Sequence, residues 1–156
     1  MAMTMAGTVT LPADRTKVWE ALNDPEVLKR SIPGCQELER TSDTGFTATA
    51  KVAVGPVKAT FKGAVTLSDI DAPNGYKISG EGQGGIAGFA KGGATVRLEE
   101  ADGGGTVLNY DVEAQVGGKI AQLGGRLING VAKKYADEFF TNFAKALEPR
   151  GEASTA

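Results

Sequence analysis

The chain has 156 residues, with 17 basic and 19 acidic side chains, a formal charge of −2 and no histidine. This length suits one domain that encloses a pocket without disulfides, and the near balance of charge disfavours nucleic acid as a partner. The single cysteine, Cys35, permits neither an internal disulfide nor a multi-cysteine metal site. No stretch approaches the roughly 20 apolar residues that span a bilayer. We therefore expect a cytoplasmic protein without metal or cofactor, with peripheral contact at the inner face of the cytoplasmic membrane left open.

The first forty residues predict a strand, two short helices and the beginning of a second strand. Residues 4–11 form the strand, and the helix that follows carries Val18, Trp19 and Leu22 on one side. Asp24 and Pro25 begin the second helix, because Asp accepts a backbone hydrogen bond at the cap and Pro has no N–H to lose at the first helical position. The segment SIPG at residues 31–34 ends that helix.

Five alternating runs separated by turns follow between Phe46 and Val116, which predicts an antiparallel meander. Many residues at the inward positions of these runs are Ala or Gly. Well-packed cores are filled by Leu, Ile, Val and Phe, so this lining leaves room for a ligand-holding cavity. The inward positions are Phe46, Ala48, Ala50, Val52, Val57, Ala59, Phe61, Gly63, Val65, Tyr76, Ile78, Gly80, Gly82, Ala90, Gly92, Ala94, Val96, Leu98, Leu108, Tyr110, Val112, Ala114 and Val116.

The last element predicted is a helix over residues 119–147, about 43 Å long at 1.5 Å per residue. Gly124 would lie on its apolar face. The order of elements predicts an α+β helix-grip fold, in which a seven-stranded antiparallel curved sheet wraps around the long C-terminal helix. We expect one domain over residues 1–148 and a flexible tail over residues 149–156.

Several motifs resemble those of a known family. They are VWEALNDP at residues 18–25, SIPGCQEL at 31–38, GPVKATFKG at 55–63, GGA at 92–94 and VGGKIAQLG at 116–124. With them the chain resembles the carbon monoxide dehydrogenase CoxG family, within the START and birch-pollen-allergen superfamily. The resemblance implies an accessory protein associated with a molybdenum hydroxylase of the carbon monoxide dehydrogenase type and with its attachment to the membrane. It also implies a lipid-like ligand such as a respiratory quinone.

The candidate ligand contacts are aromatic, aliphatic or small residues of the inward strand positions, the glycine-rich loop and the helix, with tyrosine hydroxyls to orient a carbonyl oxygen. We predict a ligand-binding site formed by Phe61, Ile78, Phe89, Ala94, Tyr110, Leu123, Gly124, Leu127, Val131 and Tyr135.

Two other functions remain open at this stage. The chain could be a docking or assembly adaptor for an oxidoreductase with a vestigial pocket. It could also be an enzyme, since relatives of the fold include cyclases and hydrolases. The enzyme reading is the weaker one, because histidine is absent and Glu81, Asp111 and Glu113 occupy outward strand positions.

Overall fold

The computed structural model describes residues 1–147, so the predicted tail at 149–156 lies outside the described residues. The strands are β1 (Ala2–Leu11), β2 (Cys35–Ser42), β3 (Gly45–Val54), β4 (Val57–Asp71), β5 (Gly75–Gln83), β6 (Phe89–Glu100) and β7 (Thr106–Gly117). The helices are α1 (Arg15–Leu22), α2 (Pro25–Ser31) and α3 (Gly125–Leu147), with 3-10 turns at Gly85–Ala87, Asp102–Gly104 and Lys119–Leu123.

The seven strands form one antiparallel sheet in the order β1-β7-β6-β5-β4-β3-β2, so β1 and β2 are its two edges. Directly paired residues share a face, and the register places Ala48 opposite Gly63, Gly80 opposite Gly92, and Ala94 opposite Val112. The predicted inward positions therefore lie on one face. The predicted seven-stranded helix-grip fold is confirmed.

Both short helices begin with an aspartate cap, and the predicted start of α2 at Asp24 and Pro25 is confirmed. The Asp14 carboxylate accepts a hydrogen bond from the Lys17 N–H at 2.8 Å, and the Asp24 carboxylate accepts one from the Glu26 N–H at 2.9 Å. Pro25 is the first residue of α2. These caps satisfy backbone donors that the first turn of a helix leaves without partners.

The prediction of one helix from residue 119 is wrong. Residues Lys119–Leu123 form a 3-10 turn, and α3 runs for 23 residues from Gly125 to Leu147. Gly124 lies between them with φ +93°, a conformation that L side chains rarely adopt. Gly124 is therefore a break before the helix and not part of its apolar face.

Two groups of buried apolar residues hold the helix on the sheet. The larger includes Leu11, Leu108, Phe143 and Leu147, and it joins the C-terminal half of α3 to α1 and to one end of the sheet. The smaller consists of Val54, Val57, Ala87, Val116, Ile120 and Ile128 at the opposite end. The inner face between the two groups is lined by the small residues.

Candidate functional site

An apolar cavity of about 330 Å³, here called the chamber, lies between the sheet and its helices. Its volume is at the lower end of the range for small-molecule sites. The strands contribute Met5, Leu38, Phe46, Ala48, Val65, Leu67, Tyr76, Ile78, Ala94, Val96, Leu108, Tyr110 and Val112. The helices and their ends contribute Leu22, Leu28, Ile32, Ala136, Phe139 and Phe140.

The chamber continues along the inner face as a more open groove of about 380 Å³, here called the inner groove. Ala48, Val65, Ile78, Ala94 and Val112 line both spaces. Within the described chain, no residue of α3 lines the groove, whereas Ala136, Phe139 and Phe140 cover the chamber. The small residues of the central strands are half-buried rather than buried, apart from the exposed Gly92. Together the two spaces form an elongated site suited to a long apolar molecule.

Aromatic side chains of α3 form the wall opposite the sheet. Phe140 stacks on Tyr110 with ring centroids 5.3 Å apart, and Phe139 stacks on Phe143 at 5.5 Å. Phe143 is fully buried, so this stack is anchored to the larger core group. Aromatic rings combine a large apolar surface with few rotatable bonds, which gives the chamber a rigid wall.

The Ser31–Cys35 segment joins α2 to β2 and supplies part of the chamber. Ile32 follows the helix directly and lines the cavity. Gly34 has φ +77°, and a Cβ there would collide with the Lys51 carbonyl, so only glycine fits this close approach to β3. The Lys51 N–H donates to the Gly34 carbonyl at 2.9 Å, which fixes the segment on the sheet.

Two tyrosine hydroxyls are the polar side-chain groups among the described chamber residues. Tyr76 and Tyr110 both line the chamber, and no hydrogen bond to either hydroxyl is found within residues 1–147. Burial raises the pKa of Tyr76, so its hydroxyl is a neutral donor at ordinary pH. A ligand oxygen could accept a hydrogen bond from either group.

Four predicted contacts lie in the hollow that the structure forms. Ile78 and Ala94 line both chamber and inner groove, Tyr110 lines the chamber, and Phe61 lines the groove. The Phe61 ring lies against Gly84, where a Cβ would collide with it, and at contact distance from Gly82. The structure therefore brings these four residues into one continuous space.

Two predicted contacts point elsewhere. Phe89 is paired with Gln83 and Gly117 at outward register, and its ring lies over Gly117 on the outer face. The hydroxyl of Tyr135 accepts a hydrogen bond from the Ala53 N–H at 2.9 Å and donates to the Ala53 carbonyl at 3.4 Å. Tyr135 thus ties α3 to β3 and does not present its hydroxyl to the chamber.

The remaining four predicted contacts lie at the end of the sheet where β7 leads into α3. Leu123 and Val131 pack against the smaller apolar group, Leu127 is partly exposed, and Gly124 forms the break before α3. None of them is among the chamber or groove residues within residues 1–147. Their position is beside the groove and not inside it.

Sequence reasoning missed Tyr76 as a hydroxyl donor and Phe139, Phe140 and Ile32 as chamber walls. Tyr76 is among the inward strand positions, so the alternating pattern already indicates that its side chain faces the cavity. The two phenylalanines required the correct start and phase of α3. Ile32 lies in a loop, where no periodicity indicates which way a side chain points.

The chemistry available in the chamber is limited to apolar contact and the two hydroxyls. Cys35 lies outside it, and burial is the main reason that the pKa of its thiol is raised, which disfavours the nucleophilic thiolate.

Among residues 1–147 no cluster of three or more metal-ligating side chains occurs. Over the same residues, no helix is long and apolar enough to cross a membrane.

The fold resembles that of START-type proteins, which have a helix-grip sheet. A START superfamily protein from Mycobacterium smegmatis has a TM-score of 0.68 at 13% identity, covering 92% of this chain and 96% of its own. The Zhui aromatase/cyclase from Streptomyces sp. R1128 has a TM-score of 0.69 at 16% identity, covering 99% and 98%. At these identities the likeness establishes the fold alone.

The family model for the CoxG subunit of carbon monoxide dehydrogenase matches residues 7–148, and the chain belongs to this family. A conserved protein from Geobacillus kaustophilus is similar over nearly the whole length, with 31% identity, a TM-score of 0.87, and coverage of 93% of this chain and 95% of that one. No curated protein matches the sequence.

Proposed function

We propose that this protein is a non-enzymatic accessory protein that holds an apolar, lipid-like ligand in the chamber and inner groove. The observation that carries the proposal is an elongated cavity whose chamber is lined by apolar side chains and only two hydroxyls. Burial of apolar surface at about 25 cal/mol per Å² supplies affinity for such a ligand without any catalytic group. Membership of the CoxG family supports an accessory role.

A respiratory quinone is the specific ligand that we propose. Its head group carries carbonyl oxygens that could accept hydrogen bonds from Tyr76 or Tyr110, and its apolar tail could follow the inner groove. The protein would then serve a molybdenum hydroxylase of the carbon monoxide dehydrogenase type, and the carbon monoxide dehydrogenase in the family description supports this part of the proposal. Such service includes peripheral contact with the cytoplasmic membrane.

Native mass spectrometry after incubation with a bacterial lipid extract tests the ligand class. We expect a one-to-one complex with a quinone or another long apolar molecule for the wild type and for Ala6→Phe, which adds the same ring at an exposed position on the outer face of β1. Ala94→Phe fills the chamber and should lose the complex. Wild-type protein that carries no apolar molecule, or unchanged loading of Ala94→Phe, would contradict the proposal.

The enzyme alternative draws on the aromatase/cyclase among the structural neighbours. In this chain the chamber has no Asp, Glu, Lys, Arg or Cys among its described lining residues, and histidine is absent from the sequence. General acid–base catalysis would depend on tyrosine alone, and burial raises the pKa of Tyr76 further from neutrality. These features support a binding role over a catalytic one.

Capture of the oxidoreductase on immobilised wild type or Ala94→Phe distinguishes the ligand-binding proposal from the adaptor alternative. If the ligand is needed for service to the enzyme, Ala94→Phe should still capture the molybdenum hydroxylase but fail to support quinone reduction by it. Capture and full quinone reduction by the blocked variant would favour an adaptor whose pocket is vestigial. Failure to capture a molybdenum hydroxylase would overturn the proposed partner and leave the ligand proposal standing.

A further inference from the structure

The two edge strands of the sheet differ in how well they are protected against pairing with a further strand. β2 carries the charged residues Glu37, Glu39 and Arg40, and its register with β3 shifts at two places. Charges and bulges of this kind hinder the addition of another strand. The ten residues of β1 include no charge and no proline, and their register with β7 is continuous. The β1 edge therefore has none of the features that protect the β2 edge.

Hydrogen bonds to β7 identify the free side of β1. The Val116 N–H donates to the Met1 carbonyl at 2.7 Å, and the Met1 ammonium group donates to the Val116 carbonyl at 2.8 Å. Hydrogen-bonded and non-hydrogen-bonded pairs alternate along an antiparallel ladder, so every second residue from Ala2 directs its N–H and C=O away from β7. Within residues 1–147 these backbone groups have no hydrogen-bond partner. The free-edge residues are Ala2, Thr4, Ala6, Thr8 and Thr10.

The edge of β1 is accessible although its inner side is packed. The inward side chain of Met5 lines the chamber, and that of Val9 packs against the larger apolar group. Both are nevertheless only half-buried, and all five free-edge residues are exposed. These exposures indicate that α3 covers the inner face of β1 and not its edge. An accessible row of free backbone donors and acceptors is a template for pairing with another strand.

We propose that this edge binds β1 of a second copy of the chain, antiparallel to it and about a two-fold axis at Ala6. The pairing sets Ala2 opposite Thr10, and Thr4 opposite Thr8, of the second copy. It joins the free groups of both strands in about ten hydrogen bonds, a number typical of a protein–protein interface. A second copy is the occupant that this strand favours, because self-pairing brings any charge near the axis close to its own like charge, and β1 has no charge.

The dimer that results has a defined geometry. Its two-fold axis is perpendicular to the strands and to the sheet, so the seven strands of each copy continue into those of the other. Both inner faces then lie on the same side of one sheet, and the two chambers point in opposite directions along the strands. The pairing uses backbone groups at the edge and leaves the chamber unchanged, so it does not depend on the proposed ligand.

Sedimentation equilibrium of the whole chain over a range of concentrations tests the pairing. The 16.1 kDa chain should associate reversibly to twice that mass. Ala6→Pro removes the N–H at the axis, and since this N–H points away from β7, the variant should keep its fold, which circular dichroism checks. It should weaken dimerisation at least tenfold through the loss of two hydrogen bonds. Wild-type protein that stays monomeric at every concentration would overturn the proposal.

Charged substitutions test the register independently of the proline. Thr4→Lys combined with Thr8→Lys places like charges opposite each other on both sides of the axis and should weaken dimerisation roughly tenfold. Thr4→Lys combined with Thr8→Glu places opposite charges there and should dimerise at least as tightly as the wild type.

The outer face away from β1 supplies the matched control for the lysine pair. Thr47→Lys combined with Ser79→Lys makes the same change in net charge at exposed positions of β3 and β5 and should leave dimerisation unchanged. Equal dimerisation of the Thr4→Lys, Thr8→Lys variant and the wild type would place the contact elsewhere and overturn the proposal. An equal loss in the Thr47→Lys, Ser79→Lys control would also overturn it, because net charge would then account for the effect.

Discussion

Tyr76 shows how burial changes the chemistry of one side chain. Its ring packs edge-on against Trp19 with centroids 5.1 Å apart, and its hydroxyl has no hydrogen-bond partner in the described chain. Because burial disfavours the charged phenolate, the pKa of Tyr76 is raised above its ordinary value of 10.0. The neutral hydroxyl is consequently preserved for contact with a ligand.

The raised pKa predicts a loss of stability at high pH. A group whose pKa is higher in the folded state than in the unfolded state contributes its full stabilisation of the fold below the unfolded pKa, which is about 10 for tyrosine. That stabilisation is lost as pH rises above this value. We expect the free energy of unfolding of the wild type to fall more steeply above pH 10 than that of Tyr76→Phe, by up to about 1.4 kcal/mol per pH unit. Urea unfolding at a series of pH values measures both slopes, and equal slopes would contradict the account.

Glycines on the inner face differ in how much space surrounds them. A Cβ at Gly82 would meet nothing closer than Phe61 at 3.8 Å, whereas a Cβ at Gly92 would collide with the Glu113 carbonyl of the neighbouring strand. We expect Gly82→Ala to be neutral or stabilising by up to about 1 kcal/mol, because it restricts the unfolded chain, and Gly92→Ala to be destabilising by more than that. Urea unfolding of the two variants measures both changes in stability. A larger loss of stability in Gly82→Ala than in Gly92→Ala would contradict the open space beside Gly82.

One side chain caps the N-terminus of α2. The Asp24 carboxylate satisfies the Glu26 N–H, and α2 leads directly to Ile32 in the chamber wall. We expect Asp24→Ala to reduce the free energy of unfolding by about 1 kcal/mol, a typical cost of losing an N-cap. Asp43→Ala, in an exposed turn between β2 and β3, is the matched control and should change stability little. Equal effects in thermal unfolding would contradict the capping role.

The strands and short helices could be predicted because their signals are local. Alternation from Phe46 to Val116 reflects a real difference between the two faces of the sheet, and the residues around Asp24 and Pro25 give a specific helix start. The beginning of α3 could not be predicted in this way. Ile120, Leu123 and Leu127 keep a helical spacing through the 3-10 turn, so periodicity continues across the break that Gly124 makes.

For the whole molecule, the sequence indicates which face encloses a hollow but not where along that face the hollow is closed. Alternation identified Ile78, Ala94 and Tyr110, which line the chamber, because position in a strand determines the face. The closing wall depends on the path of α3 across the sheet, which brings Phe139 and Phe140 over the chamber and leaves Leu127 at the end of the sheet where β7 leads into α3. That path is a property of tertiary packing and has no local signal.

Trp19 offers a direct optical measurement of the central claim, because it is the only tryptophan and its ring contacts the chamber residue Tyr76. Titration with decylubiquinone should quench its fluorescence saturably at one equivalent in the wild type and in Ala6→Phe. Ala94→Phe should bind decylubiquinone at least tenfold more weakly, which is a loss of about 1.4 kcal/mol or more in binding free energy. Absence of saturable quenching in the wild type, or equal affinity in Ala94→Phe, would contradict a ligand-binding chamber between the sheet and α3.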